Sequence, residues 1–427
     1  MFSPDSRPRT PRDRIIPPAP RERSPFSVLA SGNVAIDLAL WQVLRDVLLW
    51  SRTPADERRL LFDPPNATIR KRLVEAADAA PLLADPLAAL ARLRSAPGEF
   101  PVQVAKACQL VTDWAEHSGL LAVAVHFAEA SAYADPLNPQ WAVRAGYLAR
   151  LAGGLEMFAR SEVWHSRSYI IAVQKNNLEV ALRALASAGA LMHAMGKHGP
   201  AWRLYWRAAR KAQRSGRKRQ AAVALHHSFY LAAATGHIRV AVRDANAALS
   251  NYPTHDERIP ALAHDVAYLL ISKQHYETAL RLVDGLGERA GGIWAMGMLY
   301  GITARAAAGA GFGGSYLEAS EAAFNIARIN DECAGAVYLA LGEAARILRR
   351  WEEAAEHADA ALAVARRRAD VEVERLAAEL VSQIKRREVP PPATEPLSDA
   401  PIAALARRLA ARLRRWRRYR RGVGMKG

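Results

Sequence analysis

Regular interruption of helical periodicity is the feature that most limits how this chain of 427 residues can fold. Between residues 33 and 388, apolar side chains recur at spacings of three and four, and Gly or Asn-Asn breaks fall about every 15 to 20 residues. No stretch here shows the sustained alternation of β-branched residues that marks a strand. Because short breaks place consecutive helices side by side and antiparallel, the sequence predicts an all-α fold.

Small and aromatic residues recur in the same phase from one predicted helix pair to the next. In the stretch YLALGEAARILRRWEEAAEHADAAL (338–362), the first helix carries Leu341-Gly342 and the second begins at Trp351. The small residues of that second helix are Ala354, Ala358 and Ala361. Two helices approach closely only where one offers Ala or Gly to a bulky side chain of the other, so this phase indicates packed pairs.

This pattern resembles the tetratricopeptide repeat (TPR). About seven units fall between residues 105 and 388, with comparable positions about 34 to 43 residues apart, against a motif period of 34. Turns recur at Gly119, Gly153-Gly154, Gly196, Gly236 and the stretch GAGFGG (309–314). The resemblance implies a right-handed superhelical solenoid of antiparallel helix pairs. It also implies that the first helix of each pair faces a concave groove that holds a segment of a partner protein.

Composition divides the chain into five segments. The net charge of +17 is concentrated at the C-terminus, where residues 401–427 carry +10 and no acid. We expect a disordered basic arm (1–25), a helical capping region (26–100), the repeat array (101–389), a proline-rich linker (390–401) and an arginine-rich amphipathic helix (402–427). The N-terminus lacks the apolar stretch of a secretory signal, and no charge-free window reaches membrane-spanning length, so we expect a cytoplasmic protein.

Catalytic motifs are scarce. The chain contains no phosphate-binding loop, no nucleophile elbow and no zinc-ligand spacing, and its two cysteines lie far apart in apolar patterns. His264-Asp265 in ALAHDVAY resembles half of a metal site. However, His226 and Tyr230 occupy the same slots 38 residues upstream as His264 and Tyr268, and a repeated position favours a shared surface over a catalytic dyad. We therefore predict a non-enzymatic protein without metal or cofactor.

Side chains in groove slots are the candidate partner-binding residues that the TPR resemblance implies. They are His226, Tyr230, His264, Tyr268, His193, Tyr147 and Arg150, with His117, Glu343 and Arg346 in comparable slots. Tyr and His pair an apolar ring with a polar tip and are suited to binding a peptide. The alternative is that these rings only pack between adjacent helices.

The C-terminal segment has an amphipathic pattern of its own. Apolar residues are spaced three or four apart, at Ile402, Leu405, Leu409, Leu413 and Trp416. The candidate anion-binding residues are Arg407, Arg408, Arg412, Arg414, Arg415, Arg417 and Arg418, together with Trp416. Three interpretations remain open: a solvated tail, binding to an anionic membrane surface, and binding to nucleic acid or an acidic protein.

The sequence thus favours a scaffold or regulatory adaptor that captures a protein or peptide segment in a solenoid groove. The alternative function is that of a regulatory protein associated with nucleic acid or an anionic membrane, acting through the arginine-rich tail. If the tail binds an anionic membrane, the protein would be peripheral to that membrane.

Overall fold

A computed structural model describes most of the chain. It covers residues 31–62, 67–96, 98, 101–136, 138–155, 157–286, 293–368, 370–389 and 399–424, with only the backbone for 371, 399–400 and 416–424. The predicted N-terminal arm and nearly all of the predicted linker lie outside these residues, so both stay predictions.

The described residues form nineteen α-helices joined by short turns, and none of them forms a strand. The helices are α1 (Val34–Arg52), α2 (Ala67–Ala79), α3 (Ala84–Ala91), α4 (Pro101–His117), α5 (Leu121–Ala134), α6 (Trp141–Gly154), α7 (Phe158–Gln174), α8 (Leu178–Ala194), α9 (His198–Arg214), α10 (Lys218–Ala234), α11 (Ile238–Asn251), α12 (Ile259–Ser272), α13 (Tyr276–Asp284), α14 (Ile293–Ala310), α15 (Gly313–Ile329), α16 (Asp331–Ile347), α17 (Trp351–Arg368), α18 (Val371–Lys385) and α19 (Asp399–Gly424). Consecutive helices pack in pairs, which confirms the predicted all-α helical repeat fold.

Residues in the left-handed backbone region end many of these helices. Gly119, Gly196, Gly236 and Gly311 have φ between 70° and 78°, and each stands at a turn that the sequence predicts. In the turn at Gly236 the amide of His237 donates to the carbonyl of Ala232, which satisfies a carbonyl at the helix end. Glycine adopts this conformation without the steric penalty of a Cβ atom, so the positions of these glycines in the sequence determine where the turns lie.

The first compact unit contains α1 to α8, within residues 1–195. Helix α1 packs against α2, α3 and α5, and the pairs α4–α5 and α6–α7 follow. Trp141 and Trp164 lie in its core with ring centroids 5.6 Å apart. A buried ion pair, Arg160 with Glu129 at 3.2 Å, crosses this core, and the indole of Trp164 also donates to Glu129.

The second compact unit contains α9 to α19, within residues 196–427. Helices α10, α12, α14, α16 and α18 each contact the next member of that series, and we call them the inner helices. Helices α11, α13, α15 and α17 each pack against the inner helix that precedes them in the chain. The small residues that the sequence places at helix contacts are fully buried here: Ala241, Ala245, Ala248, Ala354, Ala358 and Ala361.

The stretch GAGFGG spans the end of α14, the turn and the start of α15. Its glycines differ in backbone conformation and in the space around them. A Cβ at Gly309 would lie 2.2 Å from the ring of Tyr276 at the start of α13, so this glycine permits close helix contact. Gly311 has φ +78°, whereas a Cβ at Gly314 in α15 would meet nothing within 4 Å. The stretch is therefore a structural turn in a helical repeat.

None of the helices in the described part of the chain combines the length and the apolarity needed to cross a bilayer.

We expect Gly309→Ala to lower the free energy of unfolding by about 1–3 kcal/mol, because the new methyl group overlaps the ring of Tyr276. The matched control is Gly314→Ala, which should raise stability by up to about 1 kcal/mol through helix propensity alone. Chemical denaturation followed by circular dichroism measures both. Equal effects of the two substitutions would contradict the close contact.

Candidate functional site

A cavity of about 560 Å³ lies within the second unit, and its lining comes from all five inner helices. Much of the lining is apolar, including Phe229, Leu269, Met298, Ile302 and Val337. The inner helices are every second helix along the chain. The lining residues are therefore far apart in sequence, from Phe229 to Leu376, although they share one cavity. An apolar concave site with a few polar groups is the usual form of a ligand site.

Three of the predicted groove residues line this cavity: Tyr230, His264 and Tyr268. Tyr230 is 44% exposed and Tyr268 46%, so both rings keep accessible surface. The guanidinium of Arg305 lies 5.0 Å from the ring centroid of Tyr268. Burial, assisted by the nearby carboxylate of Glu372, raises the pKa of Tyr230 to about 12, so its hydroxyl stays a hydrogen-bond donor at neutral pH.

Asp265, which does not recur in the repeat phase, links two inner helices. Its carboxylate accepts from His226 Nε2 of α10 at 2.9 Å and from the neighbouring His264 Nδ1 at 3.1 Å. Burial by itself would raise the pKa of Asp265, but these two hydrogen bonds hold it below its ordinary value. The carboxylate therefore stays ionised and fixes the position of His264 at the cavity wall.

His226 differs from the sequence prediction. It is only 8% exposed and does not line the cavity, because its ring lies between Asp265 and the Tyr252 hydroxyl, 3.2 Å from Nδ1. With Nε2 donating to Asp265, Nδ1 accepts from Tyr252. His226 thus fits the alternative interpretation that a ring in this slot packs between helices.

Three other predicted groove residues belong to the first unit and do not reach this cavity: Tyr147, Arg150 and His193. Both Tyr147 and Arg150 donate to the carboxylate of Glu116, one helix pair earlier. Burial, reinforced by that hydrogen bond, raises the pKa of Tyr147. His193 lies partly buried near the end of α8.

Charged residues at the cavity include several that the sequence did not single out. Arg305, which the sequence did not single out, lies 3.7 Å from Glu343, and Glu343 also accepts a hydrogen bond from Arg346 at 2.9 Å, so two arginines share this carboxylate. Asp370 caps the start of α18 by accepting from the Val373 amide, and Glu372 is exposed beside it. The repeat pattern did not mark these two acids, because they lie at the start of α18, outside the groove slots that the sequence assigned.

Within the part of the chain that the structure describes, no three His, Cys, Asp or Glu side chains are grouped as a metal site needs. The two cysteines are buried, and burial raises the pKa of both thiols.

The C-terminal helix α19 packs on the second unit, against α11, α12 and α13. Ile402, Leu405, Leu409 and Leu413 are buried in this contact. The four residues of the predicted apolar stripe whose side chains the structure describes are thus covered by the helical repeat.

Two of the candidate anion-binding arginines take part in this docking. Arg408 donates to Asn246 at 2.6 Å and to Ser250 at 3.2 Å, and Arg412 donates to the Tyr252 carbonyl at 2.8 Å. Others remain exposed: Arg407, Arg414 and Arg415. The side chains of Trp416, Arg417 and Arg418 lie outside the described residues.

Comparison with known proteins leaves the family open. No protein-family model matches the chain, and no curated protein matches it. A solved structure described as a circular tandem repeat protein with novel repeat topology and enhanced subunit contact surfaces is similar, at 16% identity over 91% of this chain and 99% of that one. Its TM-score is 0.20, so the likeness carries no argument about function.

His227 should make the second unit sensitive to mild acid. Its ring stacks on Tyr205 at 5.5 Å, and burial, with the charges of His226 and Arg258 adding to it and that of Asp265 opposing it, lowers its pKa to about 4. The unfolded chain binds this proton near pH 6.5, so stability is complete above that pH and declines toward about pH 4. We expect a loss of about 1–3 kcal/mol across this window.

Thermal melts of wild type and His227→Gln between neutral pH and pH 4 measure the effect. The variant should show a flatter dependence on pH, whereas the exposed control His237→Gln should follow the wild type. Parallel curves for His227→Gln and wild type would contradict the assignment.

Leu409→Ala should detach or loosen α19, because Leu409 is fully buried against the repeat. We expect the substitution to reduce the free energy that holds α19 against the repeat by about 2–5 kcal/mol. Proteolytic cleavage after the arginines of α19 should then be faster. Arg407→Gln is the matched control on the exposed side and should leave stability and the rate of cleavage after the other arginines of α19 unchanged. Wild-type protease resistance in Leu409→Ala would show that the docking does not hold in solution.

Proposed function

We propose that this protein is a non-enzymatic scaffold that holds a segment of a partner protein in the cavity of its second unit. The observation that carries the proposal is that one cavity is lined by five inner helices and presents Tyr230, His264 and Tyr268 together. Tyrosines with accessible rings beside an apolar surface are typical of residues that contribute most to protein binding. This supports the groove interpretation for these three residues.

We further propose that the helix pairs are TPR-like repeats. In a TPR array the first helix of each pair lines the groove, and here the pairs α10–α11, α12–α13, α14–α15 and α16–α17 each contribute their first helix to the cavity. The buried alanines in α11 and α17 fit the small positions of the second helix. Because these first helices face the same side, they form one continuous surface on which a partner segment can bind.

The charges at the cavity favour a partner segment with a basic residue beside its apolar anchor. Arg305 shares the carboxylate of Glu343 with Arg346, and Asp265 accepts hydrogen bonds from its two histidines. Glu372 and Asp370 remain at the lining as carboxylates, and no ion pair joins either of them to another described residue. An apolar side chain would occupy the floor near Met298 and Ile302, with Lys or Arg close to Glu372.

The alternative of an anionic-membrane protein acting through its tail loses its main support. Membrane binding by an amphipathic helix depends on a free apolar face, and the buried leucines of α19 face the repeat instead.

A displayed peptide library selected on the full-length protein tests the proposal. Selected peptides should share an apolar residue adjacent to Lys or Arg, and Tyr230→Ala with Tyr268→Ala should weaken them at least about tenfold. His264 is left intact because it donates a hydrogen bond to Asp265, which also links α10 to α12. Ala234→Trp, an exposed lining position, should block the cavity and remove binding without disturbing the core.

The matched control is Trp294→Ala, which removes an exposed aromatic ring of the same unit outside the cavity lining. It should leave peptide affinity unchanged. The proposal fails if the selected peptides bind the double tyrosine variant and Ala234→Trp as tightly as the wild type, while circular dichroism shows all variants folded.

A further inference from the structure

Helix α9 carries an exposed aromatic and cationic surface that the proposed scaffold function does not use. Its buried side consists of Ala201, Tyr205, Ala208, Ala209 and Ala212, packed toward α10. Its exposed side carries Trp202, Arg203, Trp206, Arg207, Arg210 and Arg214. The set alternates aromatic and cationic groups at helical spacing, so they share one face.

The two tryptophans of this face form a stacked pair. Their ring centroids lie 6.0 Å apart with an interplanar angle of 18°, and they are 39% and 44% exposed. The guanidinium of Arg210 lies over Trp206, 4.4 Å from the ring centroid. The two indoles thus lie in near-parallel layers, and each keeps more than a third of its surface exposed to solvent.

The charge of this region is of one sign. No Asp or Glu occurs between Glu179 and Asp244, and this interval contains twelve Lys and Arg residues. Arg219 pairs with Asp256 and Glu257 from a later turn. Across the ranges that the structure describes, no ion pair joins a carboxylate to the basic side chains of the α9 face and its following turn at Arg203, Arg210, Arg214, Arg217 and Lys218.

We propose that the α9 face binds single-stranded nucleic acid. Unpaired bases would stack on the Trp202–Trp206 pair and on the guanidinium of Arg210, while Arg203, Arg214, Arg217 and Lys218 would contact backbone phosphates. A cationic surface that follows the backbone, combined with aromatic rings for successive bases, is the common solution for single strands. This proposal is independent of the cavity and its peptide.

The composition of the face distinguishes this ligand from other anions. A bilayer needs buried apolar area, but the exposed side of α9 offers no exposed aliphatic residue, and its small and tyrosine side is already packed. In a duplex the base planes are stacked on each other and are not available to the indoles. The ordered indole pair, together with unpaired cations, therefore fits unpaired bases better than a membrane or a duplex.

Fluorescence anisotropy with full-length protein tests the proposal, using labelled oligothymidylate DNA and oligouridylate RNA of about 20 nucleotides. We expect binding of at least one strand type, accompanied by quenching of tryptophan fluorescence. Trp202→Ala with Trp206→Ala should weaken binding about tenfold or more and remove the quenching component, because stacking on the pair is lost. Comparison of the DNA and RNA affinities identifies the preferred strand.

A charge variant tests the phosphate contacts. Arg203→Gln, Arg214→Gln and Arg217→Gln together should reduce the slope of log affinity against log salt by about 2 for the single strand. The matched control is Arg407→Gln, Arg414→Gln and Arg415→Gln, which removes the same charge from exposed positions of α19. That control should change affinity much less, since net charge alone has a small effect.

The proposal is overturned if wild type binds neither strand, or if the α19 variant loses more affinity than the α9 variant. It also fails if a duplex of the same length binds more tightly than the single strands. If the double tryptophan variant bound the single strands as tightly as the wild type, bases would not stack on Trp202 and Trp206 and the proposal would be wrong. Cosedimentation with vesicles of equal parts phosphatidylcholine and phosphatidylserine, abolished by the tryptophan substitutions while oligonucleotide binding is not, would assign the face to a membrane.

Discussion

Close contact between alternate helices at glycine is the interaction on which the cavity of the second unit depends. A Cβ at Gly301 of α14 would lie 3.1 Å from the Ala340 Cβ of α16, and one at Gly342 of α16 would lie 3.0 Å from Leu380 of α18. Larger residues there would push the inner helices apart, because packed interiors do not absorb extra atoms without strain. Glycine and alanine thus set the spacing of α14, α16 and α18, three of the five helices that line the cavity.

Polar contacts then fix side chains on that wall. Asp265 accepts hydrogen bonds from a histidine on its own helix and from one on the preceding inner helix, and so links α10 to α12 across 39 residues of chain. Arg305 joins Tyr268 of α12 to Glu343 of α16 in the same way. The buried carboxylate of Asp265 is tolerated because both histidines donate to it, and the contacts of Arg305 with Tyr268 and Glu343 hold that guanidinium beside the apolar floor.

The second unit carries two surfaces of opposite character. Carboxylates of α12 and α18 stand at the cavity, whereas α9 and its following turn are entirely cationic. The basic C-terminal helix adds a third element, since its leucines complete the packing of α11 to α13 while part of its arginine face stays exposed. This separation of charge is the electrostatic basis of the two proposals, a basic protein segment at the cavity and a single-stranded nucleic acid at α9.

The sequence alone determined the helices, their turns and the small residues at their contacts. Helical periodicity, the turn at Gly236 with its left-handed backbone, and the small contact residue Ala245 can all be recognised from the local sequence. The sequence also indicated three cavity residues: Tyr230, His264 and Tyr268. The role of Asp265, the burial of His226 and the docking of Arg408, 162 residues from Asn246, were decided only by the tertiary structure. Their partners are distant in the chain, and only packing brings these side chains together.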